Sequence, residues 1–179
     1  MFPRTPALFG LMALTAGLWI APGAPAMAQD HPIPQALRIE QKETLEQLTA
    51  LAARPAPVGP AAKDALALLQ KHYAREREFI LPPLTLLPQL ADGKVTPDMA
   101  WALPMTERVR AEREQIFDEH AEATEALNAL LTAAVEANDN DAKEFAESAA
   151  GDSLTDLEIL EPTILMIGDA LRAKLPAAH

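Results

Sequence analysis

The chain has 179 residues, of which 49% are apolar, 23% are charged and none is cysteine. This composition is typical of a globular domain, and the lack of cysteine excludes disulfides, thiolate metal sites and cysteine nucleophiles. The 15 basic and 26 acidic residues give a net charge of −11. Such an acidic surface disfavours nucleic acid as a partner, because phosphate contacts need clustered cations, and it leaves cations as candidate ligands.

Residues 1–28 have the pattern of a secretory signal peptide. An apolar run at residues 7–21 follows Arg4, and residues 26–28 form the Ala-Met-Ala pattern that signal peptidase reads. We expect cleavage before Gln29, export to a periplasm, and no membrane insertion after the signal is removed. The alternative is an uncleaved anchor, although the apolar run is short for the roughly 20 residues of a membrane span.

The rest of the chain, residues 29–179, is predicted to be one all-α domain. Its apolar residues recur at helical spacing, and no segment alternates with the period of a strand. Prolines and glycines mark the ends of the helices. The predicted helices cover about residues 35–53, 61–81, 106–137 and 141–160, followed by a helical piece at 163–175. Four such helices favour an antiparallel up-down four-helix bundle; the alternative is an irregular helical domain in which residues 84–104 pack as a fifth element.

Polar side chains interrupt the apolar stripes of three predicted helices. His72 and Glu76 are four residues apart and therefore project from one face of the second helix. His120 falls on the stripe of the third helix, and Asp152 and Asp156 repeat the four-residue spacing on the fourth. Unpaired buried carboxylates are costly, and a cation held between them removes that cost.

The two halves of the domain also align with each other. Residues 71–82 align without gaps to residues 151–162, an offset of 80 that places Pro82 on Pro162. The same offset places Glu40 of the first helix on His120 of the third. A bundle built from two such hairpins would gather six candidate metal ligands at one level: Glu40, His72, Glu76, His120, Asp152 and Asp156. Two imidazoles with up to four carboxylates suit iron, manganese or zinc, as one ion or as two bridged ions.

Each of these residues also has a purely structural interpretation. His72 and Glu76 could be an ordinary pair on a helix flank, worth about 0.3–0.5 kcal/mol. His120 could be a hydrogen-bonded core histidine, and the two aspartates could be solvated. Gly151 weakens its helix by about 1 kcal/mol relative to alanine. Close packing or access of a metal would be a reason for glycine at this position.

The spacing H72-x3-E76-x5-P82 is similar to the second-helix signature of hemerythrin-like (HHE, cation-binding) domains. Glu119-His120 resembles the helix-three pair of that family, and Asp152-x3-Asp156-x5-Pro162 has the helix-four spacing with aspartate in place of histidine. The first helix has no histidine: Glu40, Gln41 or Lys42 occupies the region where the family's histidine would lie, and Gln41 is nearly as well placed as Glu40. The resemblance implies a four-helix bundle with a non-haem di-iron centre that binds or senses dioxygen. With only two histidines, however, a carboxylate-rich site that activates oxygen or stores and binds metal is the closer expectation.

These observations lead to one hypothesis and its alternatives. The leading hypothesis is an exported hemerythrin-like protein that binds one or two metal ions, with iron as the first expectation; its role would be metal binding or a response to oxygen or redox state. Its expected ligands are the six residues given above. The expected apolar wall of the site consists of Tyr73, Phe79, Phe117 and Phe145. The alternatives are a metal-free interaction or structural module of the cell envelope and a carboxylate-bridged di-metal oxidase; no separate catalytic residue is predicted.

Overall fold

The computed structural model describes residues 31–175, which fold as an all-α structure without a strand in that range. The predicted signal peptide lies outside these residues. The α-helices are α1 (Gln35–Ala52), α2 (Val58–Arg75), α3 (Leu87–Ala91), α4 (Ala102–Ala111), α5 (Arg113–Ala137), α6 (Asn140–Thr155) and α7 (Glu161–Lys174). Two π-helical turns, π1 (Glu76–Ile80) and π2 (Asp156–Leu160), continue α2 and α6. Two 3-10 helices, Pro82–Leu86 and Pro97–Trp101, lie in the predicted linker.

The second and third predicted helices differ most from those in the structure, where the third begins at Ala102 instead of residue 106. Helix α2 begins at Val58, three residues before the predicted start, because Pro60 lies in the first turn, where a backbone N–H has no helical partner to lose. The predicted third helix is divided at Glu112, whose backbone (φ −100°, ψ 15°) leaves the helical region. The chain therefore bends between α4 and α5 instead of running as one rod.

The turn between α5 and α6 lies where the sequence places it, at residues 138–140. Asn138 ends α5 in the left-handed region with φ 54°, which asparagine adopts more readily than most residues. Asp139 then caps α6, because its Oδ1 accepts a hydrogen bond of 3.1 Å from the backbone N–H of Ala142. This tight turn brings α6 back along α5.

Helix α2 packs against α1 and α5, and α5 packs against α6, whereas α1 and α6 touch only over a short stretch. These four helices enclose the first core, which consists of Leu48, Leu51, Val58, Ala62, Ala65, Leu69, Ala123, Leu127, Leu130, Ala134, Ala142, Ala146 and Ala149. Helix α4 packs against α7 and closes the second core with π1 and the linker. The second core consists of Phe79, Ile80, Leu81, Leu84, Leu86, Met99, Ala102, Val109, Ile116, Ile164, Ile167 and Leu171.

A layer of polar side chains separates the two cores. On α2 and π1 it lies between Leu69 of the first core and Phe79 of the second, and on α5 between Ala123 and Ile116. The buried or half-buried members of this polar layer are Gln41, His72, Glu76, His120, Ser153 and Asp156. A polar layer inside an apolar structure costs free energy unless its atoms find partners.

Both π turns begin at a carboxylate of this region, and each ends two residues before a proline. The backbone N–H of Leu81 bonds to the carbonyl of Glu76 at 2.8 Å, and that of Glu161 bonds to the carbonyl of Asp156, five residues back in each case. The extra residue in a π turn rotates the following side chains relative to an α-helix. Corresponding positions of the two turns still differ in burial, since Ile159 of π2 is 58% exposed whereas Phe79 of π1 is 2% exposed.

Among residues 31–175, no helix combines the length and the apolar character that a membrane span requires.

Candidate metal centre

Three side chains of the polar layer converge: His72 from the last turn of α2, Glu76 from the first position of π1, and His120 from α5. One potential ligand atom of each lies within 4.8 Å of those of the other two. Each side chain is at most 4% exposed. The sequence spacing places His72 and Glu76 on one face, and the tight packing of α2 on α5 supplies His120 at the same level. We call these three residues the histidine site.

The ring of His120 is held in one tautomer. Its Nδ1 lies 2.9 Å from the backbone carbonyl oxygen of Ile116. A carbonyl only accepts, so Nδ1 carries the hydrogen and Nε2 carries a lone pair. That Nε2 is buried without any hydrogen-bond partner. Burial, followed by the neighbouring His72, lowers the pKa of His120, which keeps the imidazole neutral and able to bind a metal.

His72 faces Glu76 without forming a hydrogen bond to it. The Nε2 of His72 and the Oε1 of Glu76 are 3.2 Å apart, yet neither nitrogen of His72 has a partner in hydrogen-bond geometry. Two ligand atoms bound at about 2.0–2.1 Å to one ion lie about 3 Å apart. The observed spacing therefore fits two ligands of a shared cation. The two rings, His72 and His120, lie edge to face with centroids 4.2 Å apart.

Carboxylates surround His72 and favour a positive charge there. Burial by itself would lower the pKa of His72, but Glu76, Asp156 and Glu119 together raise it above its usual value. The same field that attracts a proton attracts a metal cation.

Glu119 lies next to the Nδ1 of His72, whereas the other ring nitrogen faces Glu76. Its Oε2 is 3.8 Å from the Nδ1 of His72 and has no other partner, while its Oε1 accepts a 2.8 Å hydrogen bond from Arg75. Arg75 also donates to Glu112 at 2.7 Å. Carboxylates in this position orient a ligating histidine and raise its basicity. In the sequence Glu119 is visible only as part of the Glu119-His120 pair, not as a partner of His72.

Gln41 of α1 completes the layer beside Glu76. Its side-chain nitrogen donates a 2.7 Å hydrogen bond to the Oε2 of Glu76, and its oxygen accepts one of 3.2 Å from Arg77. Gln41 is 4% exposed. Its place four residues after Leu37 and seven before Leu48 is the sequence signal, since these positions share one helical face.

The other three predicted ligands, Glu40, Asp152 and Asp156, do not join the histidine site. We call them the acidic set. Glu40 and Asp152 are exposed and line an open cleft between α1 and α6. The prediction that Asp152 lies on a buried face is therefore wrong, because α1 and α6 separate at this level and let solvent in.

Asp156 is the half-buried member of the acidic set. With Glu40, Gln41, Tyr73 and Glu76 it lines a cavity of about 10 Å³, the room that one water molecule occupies. Burial, followed by Glu76 and Glu40, raises the pKa of Asp156 to about 8. Burial and then Asp152 also raise the pKa of Glu40.

The four aromatic residues predicted to wall the site occupy different places. Tyr73 lines the cavity, with its ring centroid 6.0 Å from that of His72. Phe79 is buried in the second core, with the Arg108 guanidinium 3.8 Å from its ring centroid. Phe145 borders the cleft between α1 and α6. Phe117 is 58% exposed, so its predicted inward position is wrong; it borders an apolar groove that His120 also borders.

Comparisons of the chain with protein-family models, with curated proteins and with solved structures find no match. The resemblance to hemerythrin-like domains stays a prediction from the sequence motifs.

Proposed function

We propose that this chain is a metal-binding helical protein whose histidine site holds a transition-metal ion. The ligands would be the Nε2 atoms of His72 and His120 and the Oε1 of Glu76. One observation carries the proposal: the His120 ring presents a buried, unpartnered Nε2 lone pair to a second histidine and a carboxylate. A buried polar atom without a partner costs about 1–3 kcal/mol, and a bound cation would satisfy several such atoms at once.

The donor set favours iron. Two imidazoles and one carboxylate with open coordination positions suit Fe(II), and the same set also binds zinc. Manganese accepts such mixed ligands too, whereas calcium and magnesium prefer shells of oxygen alone. The open positions would allow an exogenous ligand to bind, which supports a role in the response to oxygen or redox state.

Architecture and location form part of the same proposal. The packing of α1 on α2, α2 on α5 and α5 on α6 is compatible with an antiparallel four-helix bundle of the hemerythrin-like kind. A polar layer between two apolar cores is where such a bundle would hold a metal. The signal-peptide pattern of residues 1–28 supports export, with the periplasm as the proposed compartment.

The number of metal ions bound per chain tests the proposal. Plasma mass spectrometry of the protein purified without chelator, followed by anaerobic Fe(II) titration, should give at least about 0.8 ion per chain. His120→Ala should weaken the affinity at least ~100-fold, since it removes one of three ligands. His31→Ala is the matched control, because His31 stacks on Trp101 outside the polar layer, and it should bind as the wild type does.

Absence of binding after Fe(II), Mn(II) and Zn(II) loading would overturn the metal proposal. The remaining hypothesis would then be the metal-free interaction or structural module.

A further inference from the structure

Glu76 has two carboxylate oxygens with different surroundings. Oε1 faces His72 in the histidine site, at 3.2 Å from its Nε2. Oε2 points the other way and accepts the 2.7 Å hydrogen bond from the side-chain amide of Gln41. The two oxygens therefore face opposite sides of the polar layer.

The orientation of the Gln41 amide is fixed by its second partner. Arg77 donates to the Gln41 oxygen at 3.2 Å, and a guanidinium can only donate. The Gln41 oxygen must therefore face Arg77, and its NH₂ group must face Glu76. The amide hydrogen uses one of the two lone pairs of Oε2, and the Gln41 side chain lies on the side of that oxygen from which a second cation would approach, so Oε2 is a weaker ligand than Oε1.

A carboxylate that bridges two metal ions supplies one oxygen to each. In this chain the second oxygen of Glu76 would have to serve the cavity lined by Glu40 and Asp156. We infer that the hydrogen bond from Gln41 to Oε2 restricts the centre to one metal ion, which Glu76 binds through Oε1 alone. This inference rests on the proposed metal function, and it makes Gln41 a positioning residue that determines nuclearity.

The test is anaerobic Mn(II) titration with stoichiometry and electron paramagnetic resonance as readouts. The wild type should saturate at one Mn(II) per chain, with the six-line signal of an isolated ion. Gln41→Leu removes the donor and frees Glu76, so the affinity for the first ion should fall by ~10–100-fold. Gln41→Glu replaces the donor by a carboxylate and should admit a second ion with an exchange-coupled signal.

Gln89→Glu is the matched control, because it adds the same charge at an exposed position of α3, away from the polar layer and from the cleft between α1 and α6, and it should leave one ion per chain. Arg77→Met changes an exposed residue and removes the group that fixes the amide. It should weaken binding by about 2–5-fold even if a Gln41 variant folds poorly.

The possible outcomes separate the two proposals. Two coupled ions in the wild type would overturn the inference and leave the metal function intact. Wild-type affinity in both Gln41→Leu and Arg77→Met would overturn the positioning role of Gln41, as would a single ion in a folded Gln41→Glu protein. No bound metal in the wild type would instead overturn the proposed function itself.

Discussion

The histidine site and the acidic set occupy corresponding positions under the 80-residue offset between the two halves of the sequence. The 80-residue offset relates His72 and Glu76 to Asp152 and Asp156, and the same offset relates His120 to Glu40. Both triads lie beside a π turn that precedes a proline. Their local backbones therefore match, and any difference in how the side chains assemble must come from elsewhere.

The difference comes from the packing between helices. In the histidine site, α2 and α5 pack closely, and all three side chains are buried within 4.8 Å of one another. In the acidic set, α1 and α6 touch over a short stretch, so Glu40 and Asp152 face solvent. Motif spacing aligned the candidate ligands along each helix, but the distance between helices determined which triad converges.

The largest expected effect is the difference in metal affinity between two substitutions, one at the corresponding carboxylate of each triad. Glu76→Gln should weaken Fe(II) or Zn(II) binding at least ~100-fold, because it removes a ligand charge. Asp156→Asn should change the affinity by less than about 3-fold. Competition titration against a metal indicator measures both. An equal loss in the two variants would mean that Asp156 is also a ligand.

A smaller effect on metal affinity is expected from a substitution of Glu119, the carboxylate next to His72. Glu119→Gln removes the charge that orients His72, and it should weaken metal binding by ~10–100-fold without changing the number of ions. Glu158→Gln, at an exposed position of π2, is the charge-matched control and should have no effect. Titration calorimetry would measure both affinities. A Glu119→Gln protein that binds metal as the wild type does would contradict the role of Glu119 in orienting His72.

Asp156 makes the stability of the metal-free protein depend on pH. Its folded pKa of about 8 lies above the unfolded value of about 3.8, so the folded state holds the proton over this window. Stability should therefore fall as the pH rises from 4 to 8. Asp156→Asn should match the wild type at pH 4 and exceed it by about 1–3 kcal/mol at pH 8, a range reduced for partial solvent screening.

Urea unfolding of both proteins at each pH, with chelator present, gives this difference directly. Equal stabilities at pH 8 would show that Asp156 ionises normally, as an open, solvated carboxylate does.

The smallest expected effect is a change in stability, and it tests whether the helix face next to Asp152 is open to solvent. Gly151 lies one residue before Asp152, and a Cβ atom there would meet nothing within 4 Å. The close packing considered for this glycine is therefore absent. Gly151→Ala should stabilise the fold by about 0.5–1 kcal/mol through helix propensity and leave metal affinity unchanged.

Gly168 provides the contrasting glycine. A Cβ atom at that position would lie 2.8 Å from the Cβ of Thr106, so Gly168→Ala should destabilise the fold by about 1–3 kcal/mol. Thermal unfolding of the two variants compares an open helix face with a closed one. A destabilised Gly151→Ala protein would mean that the acidic side is packed after all.

The sequence by itself determined the all-α class, the turn at residues 138–140, and the face shared by His72 and Glu76. These features depend on helical periodicity and turn residues, which act within a few positions of the chain. Gln41 was recognisable only as a polar residue on an apolar stripe. Its hydrogen bond to Glu76 spans 35 positions and has no signature in local spacing.

Only the tertiary structure determined which of the candidate ligand residues lie close together. The separation of α1 from α6 left Asp152 in solvent, and Ile159 of π2 is exposed although Phe79, at the corresponding position of π1, is buried. Periodicity gives the angle of a residue around its own helix, but burial depends on how closely a neighbouring helix approaches that face. That approach is set by the fit of the two apolar cores.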